Sequence, residues 1–362
     1  MRAEIIRCKK GFYNLKEDWE ALEKEDENLS YFNTFEYNYH WLNNSGIVDD
    51  NIYVIVIKDK REAILGIAPL YIKVERKVLS LKTLAFMGWG DYLNIILKSK
   101  DVNKTKVFNF ILENILSETT LWNRVSLQNI SIDTDLARVI LKHQNYNKNF
   151  KLQVENPKIN FWKYKNYNDF SLKNISKSTK NQRNKMKREI EYLFKVEKNH
   201  EINRYVEIKD THTKLQMNMI KNDGRKDRRT LFQIETKGKF LEDLYNSSKN
   251  IINFLLLDKE NKIIAYDSCY IYNDILYSWN IAHDFKYNKY RPGRVIKHEI
   301  MNYCFENNIK SYDFGCGRYP WKFEWTPEMN YVYKLEIWNN SDKKSRLLKS
   351  MFKFKEALKC LK

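Results

Sequence analysis

An internal repeat constrains the fold of this 362-residue chain more than any other feature. Residues 51–72 (NIYVIVIKDKREAILGIAPLYI) align without a gap with residues 250–271 (NIINFLLLDKENKIIAYDSCYI), at a constant offset of 199 positions. Each copy is an apolar run, a charged turn and a second apolar run, which is the pattern of a β-hairpin. The repeat predicts that the chain contains two copies of one domain.

The elements predicted after each hairpin also follow one order: strand, helix, strand. In the first copy they lie at 91–97, 104–118 and 122–130, and in the second at 275–282, 293–307 and 311–314. Helices are predicted before the hairpins, at 17–44 and 176–222. An antiparallel meander followed by strand–helix–strand predicts an α/β (α+β) fold, in which each half is a mixed, mostly antiparallel sheet flanked by helices.

We therefore expect two domains, at 1–160 and 161–340, followed by a basic amphipathic helix at 341–362. That last segment has eight basic and two acidic residues and an apolar stripe. Basic amphipathic helices bind anionic membrane surfaces. Packing of the tail on its own domain is an equally good interpretation.

Composition excludes several classes of protein. Hydrophobic residues make up 43% and aromatic residues 14% of the chain, too many for a disordered protein. No apolar run approaches the ~18 residues of a membrane-spanning helix, and the start, MRAEIIRCKK, lacks an apolar signal core. Five scattered cysteines without a CxxC motif support neither a metal site nor disulfides. A cytoplasmic location, at most peripheral at the inner face of the membrane, fits these features.

The positive charge is concentrated in the second half of the chain. Residues 1–150 hold 21 Lys and Arg against 20 Asp and Glu, whereas residues 151–362 hold 43 against 26. One interpretation is a phosphate-bearing ligand or an anionic surface. The other is the Lys-rich drift of AT-rich coding DNA.

The turn before the predicted helix at 293–307 has the features of an anion-binding site. Pro292 suits a first helical turn and Gly293 permits close approach of a ligand. The amides of Gly293, Arg294 and Val295 would point toward an anion, and Arg291, Arg294 and Lys297 add positive charge. The alternative is a proline-started helix with surface arginines.

This order of elements resembles the core of the GNAT acyltransferase fold. In that family the corresponding turn holds the pyrophosphate of coenzyme A, with the motif Arg/Gln-x-x-Gly-x-Gly/Ala. Here the frame is Tyr290-Arg291-Pro292-Gly293-Arg294-Val295, in which the central glycine matches and the first and last positions do not. The resemblance implies two GNAT-like domains, a degenerate cofactor turn in the first, and acetyl-CoA or another acyl-CoA as donor in the second.

The chain is more closely similar to tandem-GNAT proteins of the CelD-like, cellulose-biosynthesis group, and more distantly to the Fem aminoacyl transferases of cell-wall synthesis. Segments 32–41, 66–72, 178–190 and 290–296 carry this likeness. So does YDFGCGRYPWKFEW at 312–325, which resembles an Asp-x-Gly-x-Gly…Tyr-Lys…Trp pattern with Trp321 in place of the usual Tyr.

Acyl transfer to an amine needs a base, and histidine titrates near neutral pH. We predict His283, Asp267 and Asp284 as catalytic residues; Asp267 interrupts an apolar strand where the first repeat has Ala68. His283 is alternatively a solvated strand-end side chain. The residues predicted to contact the acceptor are Asp91, Asp313, Tyr319, Lys322 and Trp325.

The leading hypothesis is an N-acyltransferase that moves an acyl group from acyl-CoA to an amine of a sugar nucleotide or glycan precursor. One alternative keeps the fold but takes aminoacyl-tRNA as donor, as the Fem likeness implies; tRNA would then be a partner. A second alternative is a non-catalytic binding protein of a glycan pathway.

Overall fold

The computed structural model describes residues 1–26, 29–75, 79–100, 102–223 and 229–360. They divide into two compact units, of which the first comprises Met1–Val154 and Tyr331–Lys362 and the second Glu155–Asn330. The predicted boundaries at 160 and 340 lie six and ten residues after those of this division, at 154 and 330. The last strand and the last helix belong to the first unit.

The first unit contains short strands and helices. Its elements are β1 (Arg2–Ile6), α1 (Lys9–Tyr13), α2 (Lys16–Glu25), α3 (Phe35–Asn44), β2 (Val54–Lys58), β3 (Ile64–Ala68), β4 (Leu70–Glu75), β5 (Leu81–Phe86), β6 (Ile96–Leu97), α4 (Lys104–Ser117), β7 (Arg124–Ser131) and α5 (Asp135–Lys142). After the second unit the chain adds most of β14 (Met329–Trp338) and α11 (Lys343–Cys360). The strand orders are β1-β2-β3-β6 and β4-β5-β7-β14.

One twisted sheet forms the centre of the second unit. Its elements are β8 (Phe150–Asn160, from Glu155 in this unit), α6 (Tyr167–Asn174), α7 (Lys177–Ile190), β9 (Leu193–Lys198), α8 (Tyr205–Asp223), α9 (Glu235–Ser247), β10 (Ile251–Leu257), β11 (Ile263–Tyr272), β12 (Ile275–His283), α10 (Pro292–Glu306) and β13 (Ser311–Asp313). The strand order is β8-β13-β12-β11-β10-β9.

Helices cover both faces of this sheet because its strands are apolar on both sides. Every residue of β10 is buried, which is typical of a strand packed on two faces. Asp267 of β11 points toward α10, where it meets Lys297, while its neighbour Ser268 points to the opposite face, where it meets Tyr245 of α9. The core on the α10 side includes Phe254.

The structure pairs the two copies of the repeat in the same register. Ile55 lies opposite Ala68 in β2–β3, and Phe254 lies opposite Asp267 in β10–β11, each shifted by the offset of the sequence alignment. A register irregularity falls at the same place, between Ile57 and Lys58 and between Leu256 and Leu257. The predicted hairpins, the helices at α4 and α10 and the strands at β7, β12 and β13 are confirmed.

The predicted strand at 91–97 is wrong, because only Ile96–Leu97 form a strand. In the second unit the single strand β12 pairs with β11 from Ile275 to His283, with one bulge. In the first unit two strands take the place of β12, since β5 pairs with β4 and β6 pairs with β3. Two glycines turn the chain between β5 and β6. Gly88 has a φ of +99°, and a Cβ added at Gly90 would lie 2.4 Å from Phe32 Cβ. The helical prediction at 176–222 also missed β9.

Candidate active site

Two parallel strands of the second unit form a fork. β13 pairs with β12 only from Ile275 to Tyr277, whereas β12 continues to His283. A bulge places Trp279 without a partner in β11, since Ser268 pairs with Asn280 and Cys269 pairs with Ser278. Bulges increase the local twist and redirect side chains. Beyond Tyr277, the edge of β12 has no strand partner on the β13 side among the described residues.

A pocket of about 370 Å³ lies at this fork, entirely within the second unit. It combines apolar walls with a cationic end, which is the composition of a small-molecule site. The lining residues are Leu215, Ile281, Ala282, His283, Asn288, Arg291, Gly293, Arg294, Trp321 and Trp325.

The first turn of α10 provides one free amide rather than the three that the sequence predicts. Arg291, in the left-handed region with φ of 52°, accepts hydrogen bonds at its carbonyl from the amides of Arg294 (2.9 Å) and Val295 (3.3 Å). The Gly293 amide has no acceptor among the described residues. A Cβ at Gly293 would meet only His283 Nδ1, at 4.0 Å, so this position faces open space.

The cations of this turn point in different directions. Arg291 is exposed and Arg294 donates to Glu324 Oε1 at 2.6 Å, and both line the pocket. Val295 is completely buried. Lys297 is 1% exposed and its ammonium points into the core. The turn itself therefore presents two cations, because the predicted third one is turned away from solvent.

Lys297 belongs to a buried polar cluster with Asp267, Ser278 and Tyr312. Its Nζ donates to Asp267 Oδ2 at 2.7 Å and to Ser278 Oγ at 3.1 Å, and Ser278 donates to Asp267 Oδ1 at 2.8 Å. The Tyr312 hydroxyl bonds both Lys297 and Asp267. Burial, together with the charge of Asp267, raises the pKa of Tyr312 well above its usual value, so this phenol stays neutral.

This cluster changes the interpretation of Asp267. The carboxylate is fully buried and both oxygens already accept hydrogen bonds. It does not line the pocket, although its register partner Ile281 does. The ring of Trp321 lies 5.7 Å from Lys297 Nζ and also lines the pocket. Asp267 and Lys297 therefore lie next to the pocket and can position its walls.

His283 ends β12 with one ring nitrogen facing the pocket. Its Nε2 lies 2.7 Å from Asn288 Oδ1. Since an amide oxygen only accepts, this contact selects the tautomer with the proton on Nε2, and in the neutral ring Nδ1 then has the lone pair. Nδ1 faces Gly293, because a Cβ added to that glycine would lie 4.0 Å from this nitrogen. An imidazole held in this tautomer can accept a proton from a bound molecule.

Asp284, predicted beside His283 as a catalytic residue, has a local structural contact. Its Oδ1 accepts from the amide of Lys286 at 2.9 Å and caps the short 3-10 helix Phe285–Tyr290. This cap holds the turn that carries Asn288. Asp284 thus positions Asn288 through this turn, and Asn288 contacts His283.

The loop after β13 is held by two side chains that the sequence predicts to bind substrate. Asp313, 1% exposed, accepts from the Gly315 amide at 2.8 Å. Lys322, 4% exposed, donates to the carbonyls of Gly315 (2.7 Å) and Cys316 (2.8 Å). Gly315 and Gly317 have φ values of 72° and 104°, which favour glycine. These hydrogen bonds tie both side chains to the loop itself.

The remaining predicted acceptor residues are dispersed. Trp325 lines the pocket, and Tyr319 is 58% exposed. Asp91 lies in the first unit between β5 and β6, where its charge contributes to raising the pKa of Tyr37, after burial as the main cause. Sequence reasoning assigned no role to Leu215, Asn288, Ser278 or Tyr312, although Tyr312 begins the motif at 312–325 that also contains Trp321.

The described residues contain no group of three His, Cys, Asp or Glu side chains that could hold a metal ion. Nor does any described helix have the length and apolar character that crossing a bilayer requires.

Residues 174–323 match the family model described as acetyltransferase (GNAT) domain. No curated protein matches the chain. Similar solved structures include FemX (12% identity, 94% of this chain and 98% of that chain, TM-score 0.58). They also include the C-terminal domain of a putative lysylphosphatidylglycerol synthetase from Agrobacterium fabrum (9% identity, 94% and 96% covered, TM-score 0.55) and L-PGS from Bacillus licheniformis (11% identity, 92% and 94% covered, TM-score 0.54).

These findings confirm the predicted fold class: two GNAT-like domains, each with a mixed, mostly antiparallel sheet flanked by helices. The family match indicates an enzyme with transferase activity, as the sequence predicts. Assignment to the CelD-like group, which is finer than the GNAT level, stays a prediction.

Proposed function

We propose that the second unit is an N-acyltransferase that moves an acyl group from acyl-CoA to an amine of a sugar nucleotide or glycan precursor. One observation carries the proposal: His283 Nδ1, the free Gly293 amide and two arginines line one pocket beside an open strand edge. These are the groups that holding a phosphorylated donor and deprotonating an amine require.

The donor would be held at both ends of the pocket. Arg291, Arg294 and the Gly293 amide would bind the phosphates, since a helix start and guanidinium groups favour anions. Arg294 would exchange Glu324 for phosphate. The open edge of β12 would pair with the amides of the pantetheine arm, as extended ligands pair with exposed strand edges.

Transfer would then proceed by direct attack. The amine attacks the thioester carbonyl, a C–N bond forms and the C–S bond breaks. His283 Nδ1 takes the proton that the amine loses, and the departing thiolate gains one from solvent. Cys269 and Cys304 are fully buried and burial raises the pKa of each thiol well above its usual value, so neither provides a nucleophilic thiolate.

The acceptor would lie against the aromatic wall. Trp321 and Trp325 line the pocket and Tyr319 is exposed nearby in sequence. Aromatic faces pack well on the apolar faces of sugar rings. Asp313 and Lys322 would support this wall through the loop, and Asp267 and Lys297 would support its inner side. Asp91 stays a proposed acceptor contact of the first unit.

A second candidate takes aminoacyl-tRNA as donor. Two observations favour it: the fold likeness to FemX and the excess of 43 basic over 26 acidic residues in 151–362. Binding of tRNA through phosphates would weaken steeply with salt.

Isothermal titration calorimetry tests the proposal. We expect acetyl-CoA to bind the wild-type protein and Gly293→Ala about equally, because a single Cβ fits at this position. Gly293→Trp should abolish binding by filling the pocket. Absence of heat with wild type, or unchanged heat with Gly293→Trp, contradicts the donor site. Salt-sensitive tRNA binding in its place supports the second candidate.

A further inference from the structure

One face of the last helix is fixed to the first unit. Asp342 Oδ2 accepts from the Ser345 amide at 2.9 Å, and Asn123 Nδ2 donates to Ser345 Oγ at 2.9 Å. Ser345 is completely buried. Phe352, two turns later, packs on Trp338 (ring centroids 5.9 Å apart) and under Arg124. This face therefore has its packing partners within the unit.

The opposite face of the same helix is apolar and exposed. Leu347, Met351 and Phe354 are 53%, 51% and 68% exposed. Their spacing of four and three residues places them in one stripe, because side chains at these intervals share a helix face. Leu347 follows Ser345 by two residues, about 200° around the helix, so the stripe points away from the unit.

Cations flank this apolar stripe. Residues 343–354 contain five basic residues and no acidic one. Lys343 and Lys344 are exposed at the start of the helix, and Arg346 and Lys353 are exposed along it. A second copy of the chain docking here would bring two such cationic segments together, which is unfavourable. An anionic partner removes this repulsion.

We propose that residues 343–354 of α11 form a docking surface for an anionic lipid bilayer. Leu347, Met351 and Phe354 insert between the headgroups while the flanking cations contact the lipid phosphates. The helix lies in the plane of the interface, as basic amphipathic helices do. Each cation near an anionic leaflet strengthens binding about fivefold, and the apolar side chains add the burial term.

Vesicle co-sedimentation of the full chain tests this surface. We expect binding to mixed phosphatidylcholine–phosphatidylglycerol vesicles at least about tenfold stronger than to pure phosphatidylcholine. The triple variant Leu347→Ser/Met351→Ser/Phe354→Ser should lose about a hundredfold in binding to the mixed vesicles. Lys343→Gln/Lys344→Gln should lose about twenty-five-fold and depend less on salt.

The control removes exposed apolar side chains elsewhere in the first unit. Val48→Ser/Leu141→Ser, at residues 61% and 44% exposed, should bind vesicles as wild type does. Circular dichroism should show all variants folded. Equal binding to both vesicle types, or undiminished binding of the triple variant, overturns the proposal. So does a dimer in light scattering that only the triple variant dissociates.

Discussion

Lys297 Nζ lies 2.7 Å from Asp267 Oδ2, and neither side chain is more than 1% exposed. Two charges without water are stabilised only when hydrogen bonds satisfy both. Ser278 and Tyr312 complete that set. The first repeat has Ala68 at the position of Asp267 in the same strand register, so the ion pair distinguishes the two units.

Removing one partner of this pair should destabilise the second unit strongly. Lys297→Met leaves Asp267 as a buried charge without its cation, and we expect the free energy of unfolding to fall by about 3–5 kcal/mol. Urea denaturation measures it. Lys297→Met/Asp267→Leu should recover part of the loss, because both charges are then absent.

The matched control is the exposed pair Lys310–Asp274, with both side chains 63% exposed. Lys310→Met should change the free energy of unfolding by less than about 0.5 kcal/mol. If Lys297→Met behaves like this control, the buried pair is unimportant for stability.

Replacing His283 should affect the transfer step rather than donor binding. His283→Gln removes the proton acceptor, and we expect kcat/KM to fall about a hundred- to ten-thousand-fold. Acetyl-CoA affinity by calorimetry should be unchanged. Residual activity that keeps the wild-type pH profile would assign the base to another group.

Asn288 should act through His283. Asn288→Leu removes the oxygen that holds His283 Nε2–H at 2.7 Å, which leaves the ring free to turn. We expect kcat to fall about tenfold, as for other groups that orient a functional histidine, with a change in the pH–rate profile. No change in either quantity would show that the tautomer is set without Asn288.

Lys322 should be more important for the loop after β13 than for charge recognition. Lys322→Met deletes two hydrogen bonds from a charged donor to the carbonyls of Gly315 and Cys316. We expect a loss of about 2–3 kcal/mol in unfolding free energy. Lys239→Met, at an exposed helix pair, is the control. If Lys322→Met is as stable as Lys239→Met and binds substrate more weakly, then Lys322 binds the substrate, as the sequence predicts.

His298 should make stability fall in mild acid. Burial, and then Arg183, lower the pKa of His298 to about 4. The unfolded chain takes up a proton near pH 6.5 while the folded chain resists it, so stability present above pH 6.5 is lost as pH falls toward 4. The full effect is about 3 kcal/mol. His298→Gln should flatten this slope in urea titrations at several pH values; an identical slope contradicts the assignment.

The repeat made much of the fold predictable. Hairpin register depends on the length of the turn, and both copies keep the same spacing without a gap. Ile55 therefore lies opposite Ala68 just as Phe254 lies opposite Asp267. The predicted strand at 91–97 is wrong because two glycines turn the chain just before it, so that β5 and β6 together take the place of one long strand. Partners distant in sequence, such as β14 for β7, leave no local signal.

The site was only partly predictable for a similar reason. Sequence places Pro292 and Gly293 at a helix start, since these residue types prefer it. Whether a lysine on that helix faces water or the core depends on its helical phase and on Asp267 in another strand. The sequence therefore predicts that Lys297 binds the anion together with the arginines of the turn, whereas its ammonium lies in the interior.

The return of Tyr331–Trp338 to β7 has a consequence for how the protein is made. The early part of the chain leaves the ribosome with one sheet edge uncovered, and the segment that covers it is synthesised only after the whole second unit. Synthesis of residues 155–330, the second unit, therefore precedes closure of the first unit. A protein ended at residue 330 would expose that edge to other chains and aggregate.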